Sequence, residues 1–186
     1  MNPDTNKDVF SSVDDWLPVP SEHKNNRSEI KKVVLSTDLF EGLSPRDWKI
    51  ISGLLHLRKF KKEEVVFEGG TPGLGMYIII DGEVIIINRQ ENKDIELARL
   101  TKGAFLGELS LIDDINRSTT AIAARPTTLV GFFRPQLQQV IRQRPRLGVF
   151  LLERLAKSVF QRLRITNQKL NETRSLLAKG NDDAIS

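Results

Sequence analysis

Two side chains stand out for the chemistry they offer: Glu108 and Arg117, nine residues apart in the segment Gly107-Glu-Leu-Ser-Leu-Ile-Asp-Asp-Ile-Asn-Arg-Ser118. Arginine presents a planar fork of N–H donors that clamps phosphate oxygens through parallel bonds. A carboxylate cannot hold a phosphate, but it accepts hydrogen bonds from sugar hydroxyls. The stretch after Gly107 is expected to open a short helix whose first N–H groups point outward and attract an anion. Ser118 adds a hydroxyl donor at the start of the next strand. Together these groups suit the acidic and hydroxyl ends of one sugar phosphate. The competing reading is a Glu108–Arg117 salt bridge that only closes a surface loop.

Other chemistries are poorly supplied. The 186 residues contain no cysteine and two histidines, His23 and His56. That removes disulfide scaffolds, thiolate zinc sites, iron–sulfur clusters and thiol nucleophiles, and leaves a metal-dependent jelly-roll enzyme without its ligands. No Walker A or GxGxxG fingerprint falls in a strand–loop–helix context. With no nucleophile–base constellation either, the expectation is no catalysis, no metal and no cofactor. The opening MNPDTNKDVF has no basic n-region, and no run approaches the ~18 apolar residues of a membrane span, so the chain is expected to be cytoplasmic and without a membrane anchor.

The elements that must position the pair follow from pattern. Residues 1–30 are polar, rich in Asn, Ser and Asp, and read as a flexible arm with one apolar island, Trp16, Leu17 and Val19. That island packs on the protein's own surface or serves as a docking peptide. Ser44-Pro45-Arg46-Asp47 starts a helix, with Ser44 as cap, Pro45 at the first turn and Asp47 at the positive dipole end. The helix is expected to reach about Leu54. From Leu55 to Phe133 come short β-branched and aromatic runs: LHLRKF, EVVFEG, MYIII, EVIIIN, IELARL, TTAIAA and TTLVGFF. Asp81-Gly82 between two of them is a hairpin signal. Strands at such spacing point to an antiparallel sandwich or jelly roll rather than βαβ units.

After Phe133 the pattern turns helical. PQLQQVIRQ reads as a short helix, Pro145 interrupts, and a long helix runs from about Leu147 to Lys179. Leu152, Ala156, Val159, Leu163, Thr166, Leu170, Thr173 and Leu177 form a heptad seam with two threonines inside it. Some thirty residues at 1.5 Å each make about 45 Å, longer than the barrel before it, so a parallel homodimer is the expected way to bury the stripe. The alternative is a helix folded back on its own barrel.

Gly103-x-x-Leu106-Gly107-Glu108-Leu109-Ser110-Leu111-Ile112, followed by Arg117-Ser118, resembles the phosphate-binding cassette of cyclic nucleotide-binding domains, G-x-x-F-G-E-[LI]-A-L then P-R-[AST]-A-T. Glu68-Gly69-Gly70, Met76-Tyr77-Ile78-Ile79 and Gly82-Glu83-Val84 are similar to the family's glycine loop and following strands, and Leu39-Phe40 with Leu43-Ser44 to its entry motif. Leu106, Ser110 and Asn116 stand where Phe, Ala and Pro are usual. The glycine loop lacks its common Asp residues.

The resemblance covers about residues 35–170. It implies an α+β fold: an antiparallel jelly-roll barrel at 31–144 with a helix on its N-terminal side, then a long dimerisation helix at 145–180 and a tail at 181–186. It implies ligand contacts at Gly107, Glu108, Leu109, Ser110, Arg117, Ser118 and Thr119. Phe160-Gln-Arg-Leu163-Arg-Ile-Thr166-Asn167-Gln-Lys-Leu170 looks like the dimerisation helix of the Crp/Fnr branch, the bacterial cAMP receptor proteins. By that likeness Thr166 would meet the base in its own barrel and Asn167 the base in the partner's. The implied ligand is cAMP, with cGMP as the alternative.

At the end of this helix only Leu176–Ser186 remain, so a helix-turn-helix reading DNA is not expected. What is expected is a stand-alone, dimeric sensor that signals to an unidentified protein partner through the long helix or the arm. Its rival is an interaction module whose pocket is empty or takes another ligand. The net charge of +4 is uneven. Residues 134–174 hold ten basic and two acidic residues, and this +8 leaves −4 elsewhere, so the helical region is where an acidic partner would dock.

Overall fold

Runs such as Met76-Tyr-Ile-Ile-Ile80 lack the alternation of a half-buried strand because both faces of the strand are covered. In the computed structural model, which describes residues 16–19, 24–90 and 93–183, Met76, Ile78 and Ile80 point into a core shared with the helices. Tyr77 and Ile79 point into a second core between two sheets. The strands are β1 (Leu17–Pro18), β2 (His56–Phe60), β3 (Val65–Phe67), β4 (Gly75–Asp81), β5 (Glu83–Arg89), β6 (Asp94–Thr101), β7 (Phe105–Leu106), β8 (Thr120–Ala123) and β9 (Thr127–Phe133). They form antiparallel sheets ordered β1-β2-β9-β4-β7 and β3-β8-β5-β6. This is the expected α+β jelly roll, with helices packed on the outer face of the first sheet.

Asp81-Gly82 does not make the expected hairpin. β4 pairs with β7 and β9, whereas β5 pairs with β6 and β8 in the other sheet. Gly82, at φ 105°, turns the corner between sheets, and a Cβ there would fall 2.3 Å from the Thr127 hydroxyl oxygen. That hydroxyl binds the backbone N–H and carbonyl of Glu83, which fixes the corner. The Asp-Gly signal marks a reversal and carries no information about which strand is met afterwards.

Helix α1 (Lys24–Leu35) begins inside the range read as an arm, and Trp16–Val19 are also placed, with β1 paired to β2. Residues 1–15 and 20–23 of that range lie outside the described residues. Helix α2 (Pro45–Ser52) starts as its sequence predicts. The Ser44 hydroxyl accepts from the Asp47 N–H at 3.1 Å, and Trp48 and Ile51 are buried. It ends at Gly53, slightly short of Leu54.

Helices α3 (Arg134–Gln143) and α4 (Pro145–Asp183) meet at Pro145, where the helical pattern breaks. The first turns of α4 bury Leu147, Leu151, Leu155 and Ser158 on the domain. Beyond them Phe160, Leu163, Ile165 and Leu170 are exposed, as are Thr166 and Thr173. From Leu163 to Thr173 the heptad stripe is therefore uncovered within one chain. No helix among the described residues is long and apolar enough to cross a membrane.

Candidate functional site

Arg117 enters the barrel core because the chain around it leaves no side chain in its way. It precedes β8, and the loop 69–75 holds its backbone: the Arg117 N–H donates to the Thr71 carbonyl and the Gly70 N–H to the Arg117 carbonyl, both at 2.8 Å. Gly107 adopts φ 76°, and a Cβ there would lie 2.3 Å from Arg117 Nη1. A Cβ on Gly73 would collide with the Ser110 hydroxyl at 1.9 Å. These two glycines thus bring the loop, the short 3₁₀ helix Glu108–Leu111 and the arginine together.

Arg117 is 7% exposed, a large burial for a residue carrying a permanent cation. Nη1 donates to the Gly107 carbonyl at 3.0 Å and to Ser110 Oγ at 2.8 Å, and Nη2 donates to the Gly75 carbonyl at 2.6 Å. Its Cζ lies 4.3 Å from the Phe67 ring centre and 5.4 Å from that of Tyr77. Among the described residues no carboxylate pairs with it, and Nε is buried without a partner. Burial holds its pKa below the ordinary arginine value against the opposing pull of Tyr77 and Glu108. Burial likewise raises the Tyr77 phenol, the neighbouring arginine acting the other way. The site therefore holds a desolvated positive charge that polar neighbours orient and that forms no ion pair among the described residues.

Glu108 is also buried, at 4% exposure, but the Glu108–Arg117 salt bridge does not form. Its partner is Arg162 of α4, whose Nη1 meets Glu108 Oε1 at 2.7 Å while Nη2 donates to the Phe105 carbonyl at 3.0 Å. Arg162 stands half exposed over the Phe105 ring, so the long helix reaches the Glu108 carboxylate through this side chain.

Arg117, Glu108 and Arg162 share the wall of a cavity of about 440 Å³. That lies within the ~300–1,000 Å³ typical of small-molecule sites. Strands β3, β5, β6 and β7 contribute an apolar wall of Phe67, Ile86, Ala98, Leu100 and Leu106. The segment 107–119 contributes the polar wall, and the expected Gly107, Glu108, Leu109, Ser110, Arg117, Ser118 and Thr119 all line it, joined by Asn116. Thr166 and Asn167 do not line it; both are exposed on α4, beyond Arg162. No cluster of metal-ligating side chains occurs among the described residues.

Two arginines matter here that sequence reasoning counted only as charge. Arg162 is one, and its place in the stretch Phe160–Leu170 was a usable signal. Arg134, at the start of α3, is the other. Its Nε donates to the Ser110 carbonyl, its Nη2 donates to the Gly73 and Asp113 carbonyls, and Nη1 pairs with Asp114 at 2.7 Å. It ties the glycine loop to the cassette, and nothing local to Arg134 in the sequence announces that.

Comparison with known proteins gives a consistent picture. The family model for the cyclic nucleotide-binding domain matches residues 57–144. The chain is 28% identical over 134 residues to the cyclic AMP receptor protein of Thermus thermophilus, a match covering 72% of this chain and 60% of that protein. It is 29% identical over 105 residues to the cAMP-dependent protein kinase regulatory subunit of Mycosarcoma maydis, covering 56% of this chain and 20% of that one. A cyclic nucleotide-binding domain from Methylobacillus flagellatus superposes with a TM-score of 0.71 at 26% identity, covering 87% of this chain and 90% of the other. The chain thus spans about 60% of the receptor protein's length and 20% of the regulatory subunit's.

Proposed function

Residues 57–144 are a cyclic nucleotide-binding domain with Crp-like relatives, and from that premise we propose that this protein is a dimeric cAMP sensor reporting occupancy to a protein partner. The observation that carries the reading is Arg117: a buried cation that no carboxylate among the described residues pairs with, its Nε unpaired there, at the wall of a cavity of about 440 Å³. A singly charged cyclic phosphate supplies the missing anion. It takes the Nε–H of Arg117, with the backbone N–H groups after Gly107 and the Ser118 hydroxyl as further donors. Glu108, held through Oε1 by Arg162, accepts from the ribose hydroxyl through its other oxygen. The base lies along the apolar wall.

Ligand on Glu108 acts on the partner of Arg162, so occupancy biases α4. That differential contact is what a switch requires. The uncovered stripe of α4, with Leu163 and Leu170, supports a parallel homodimer that would carry Thr166 and Asn167 to the bases. The excess of basic residues in 134–174 favours an acidic partner, in the cytoplasm, and we assign the protein no catalysis. cGMP is the alternative ligand. A second reading, an interaction module whose pocket takes no cyclic nucleotide, draws on the Arg162–Glu108 pair, which already occupies one carboxylate oxygen.

Isothermal titration calorimetry with cAMP, cGMP and adenosine separates these readings. The sensor reading expects saturable heat at one site per chain for cAMP, weaker binding of cGMP and none for adenosine, which lacks the phosphate. Absence of heat with both cyclic nucleotides would refute it.

A further inference from the structure

Trp16 lies far from the cassette in sequence and outside the residues that match the family model, yet it sits in the core of the barrel. It is 4% exposed. Its ring stacks on Tyr77 at 5.0 Å between centres and 13° between planes, with Phe60 and Phe133 edge-on at 5.9 and 5.5 Å. Gly131 makes room for it: a Cβ there would be 3.1 Å from the indole. Tyr77 in turn stacks on Phe67, and the Arg117 guanidinium lies over both of those rings. A continuous aromatic stack therefore runs from the N-terminal segment to the cation of the binding site.

Besides the indole, the described residues of this segment make few contacts, Val19 packing against the edge of the outer core. β1 is two residues long, Leu17 is largely exposed, and the Val19 N–H reaches the Leu55 carbonyl only at 3.4 Å. The indole is its anchor. We propose that Trp16 is a positioning residue of the anion site, fixing Tyr77 and Phe67 and through them the plane of Arg117. Because the contact is mutual, an anion that orders Arg117 also tightens the N-terminal segment on the barrel, and release of the segment loosens Arg117. The affinity part of this proposal rests on the cyclic-nucleotide reading; the link between Trp16 and Arg117 does not.

A ligand-free double-mutant cycle and a binding series test the two parts separately. Urea-unfolding midpoints of Trp16→Ala, Arg117→Ala and the double variant are expected to be non-additive, as for residues joined in one network. Additive shifts would overturn the proposal whether or not any nucleotide binds. In calorimetry, Trp16→Ala is expected to weaken cAMP binding roughly tenfold, the scale of an ordinary coupling between sites. Trp16→Phe should restore most of it, and Leu39→Ala, a comparable loss in the outer core, should leave affinity unchanged. Equal weakening by Trp16→Ala and Leu39→Ala would reduce Trp16 to a packing residue and overturn the proposal. If Trp16→Ala does not fold, the cycle and the titration run on Trp16→Phe and Trp16→Leu, with the same criteria.

Discussion

Replacing Arg117 by alanine removes a buried cation that lines the cavity and that no carboxylate among the described residues pairs with. In the complex, the guanidinium is expected to give two hydrogen bonds to phosphate oxygens. Bonds involving a charged group contribute ~1.5–3 kcal/mol each. Losing both costs about 3–6 kcal/mol, which is roughly a 150- to 20,000-fold weakening at ~1.4 kcal/mol per tenfold. The free protein changes much less. Gly75 O, Gly107 O and Ser110 Oγ lose a donor. Against that, the desolvated charge is relieved. A net loss of ~2 kcal/mol corresponds to a fall of about 4–8 °C in melting temperature for a chain of this size. Arg117→Lys keeps the charge but not the planar fork, so its affinity should fall between wild type and alanine. The assay is calorimetric titration with cAMP well below the melting transition, with circular dichroism to confirm the fold. A folded Arg117→Ala variant that binds within threefold of wild type would refute the assignment of this residue to the phosphate.

Gly107→Ala forces a side chain into a backbone at φ 76° and against Arg117 Nη1, so cAMP affinity should fall roughly tenfold or more, the loss of about one charged hydrogen bond, measured by the same titration. Arg134→Ala releases the carbonyls of Gly73, Ser110 and Asp113 together. A loss of ~2 kcal/mol, seen as a melting temperature lower by about 4–8 °C, is expected in a thermal scan, with Arg134→Lys recovering only part because an ammonium lacks the fork. Leu163→Asp with Leu170→Asp places charges on the exposed stripe of α4. Sedimentation should show twice the 21.1 kDa chain mass for wild type and a single chain for the variant; an unchanged mass would remove the seam as the interface.

The groups proposed to hold the ligand lie close together in sequence and were legible there. Glu108, Arg117 and the glycine between the strand and the 3₁₀ helix lie within one short segment, and their side-chain types limit what they bind. The cap at Ser44 was legible for the same reason, since Ser44 and Asp47 meet within one turn. What could not be read was long-range. Helix α1 carries its buried residues, Ile30, Val33 and Val34, within little more than one turn near its end, too short a stripe to show a helical period. The partners of Arg134 and Arg162 are brought to them by the fold, over 20–61 and 54–57 residues respectively. Trp16 belonged to an island rightly suspected of packing on its own protein, but its insertion between the sheets depends on the gap left at Gly131, which no local pattern reveals.

The central claim is that the unpaired Nε–H of Arg117 receives the ligand's phosphate. A ¹H–¹⁵N spectrum of the arginine side chains, with the Arg117 signal assigned by its loss in Arg117→Lys, observes that group directly. Titration with cAMP should move the Arg117 Nε–H resonance downfield and slow its exchange with water, saturating at one ligand per chain, while adenosine leaves it in place. A resonance unmoved by saturating cAMP would contradict the account.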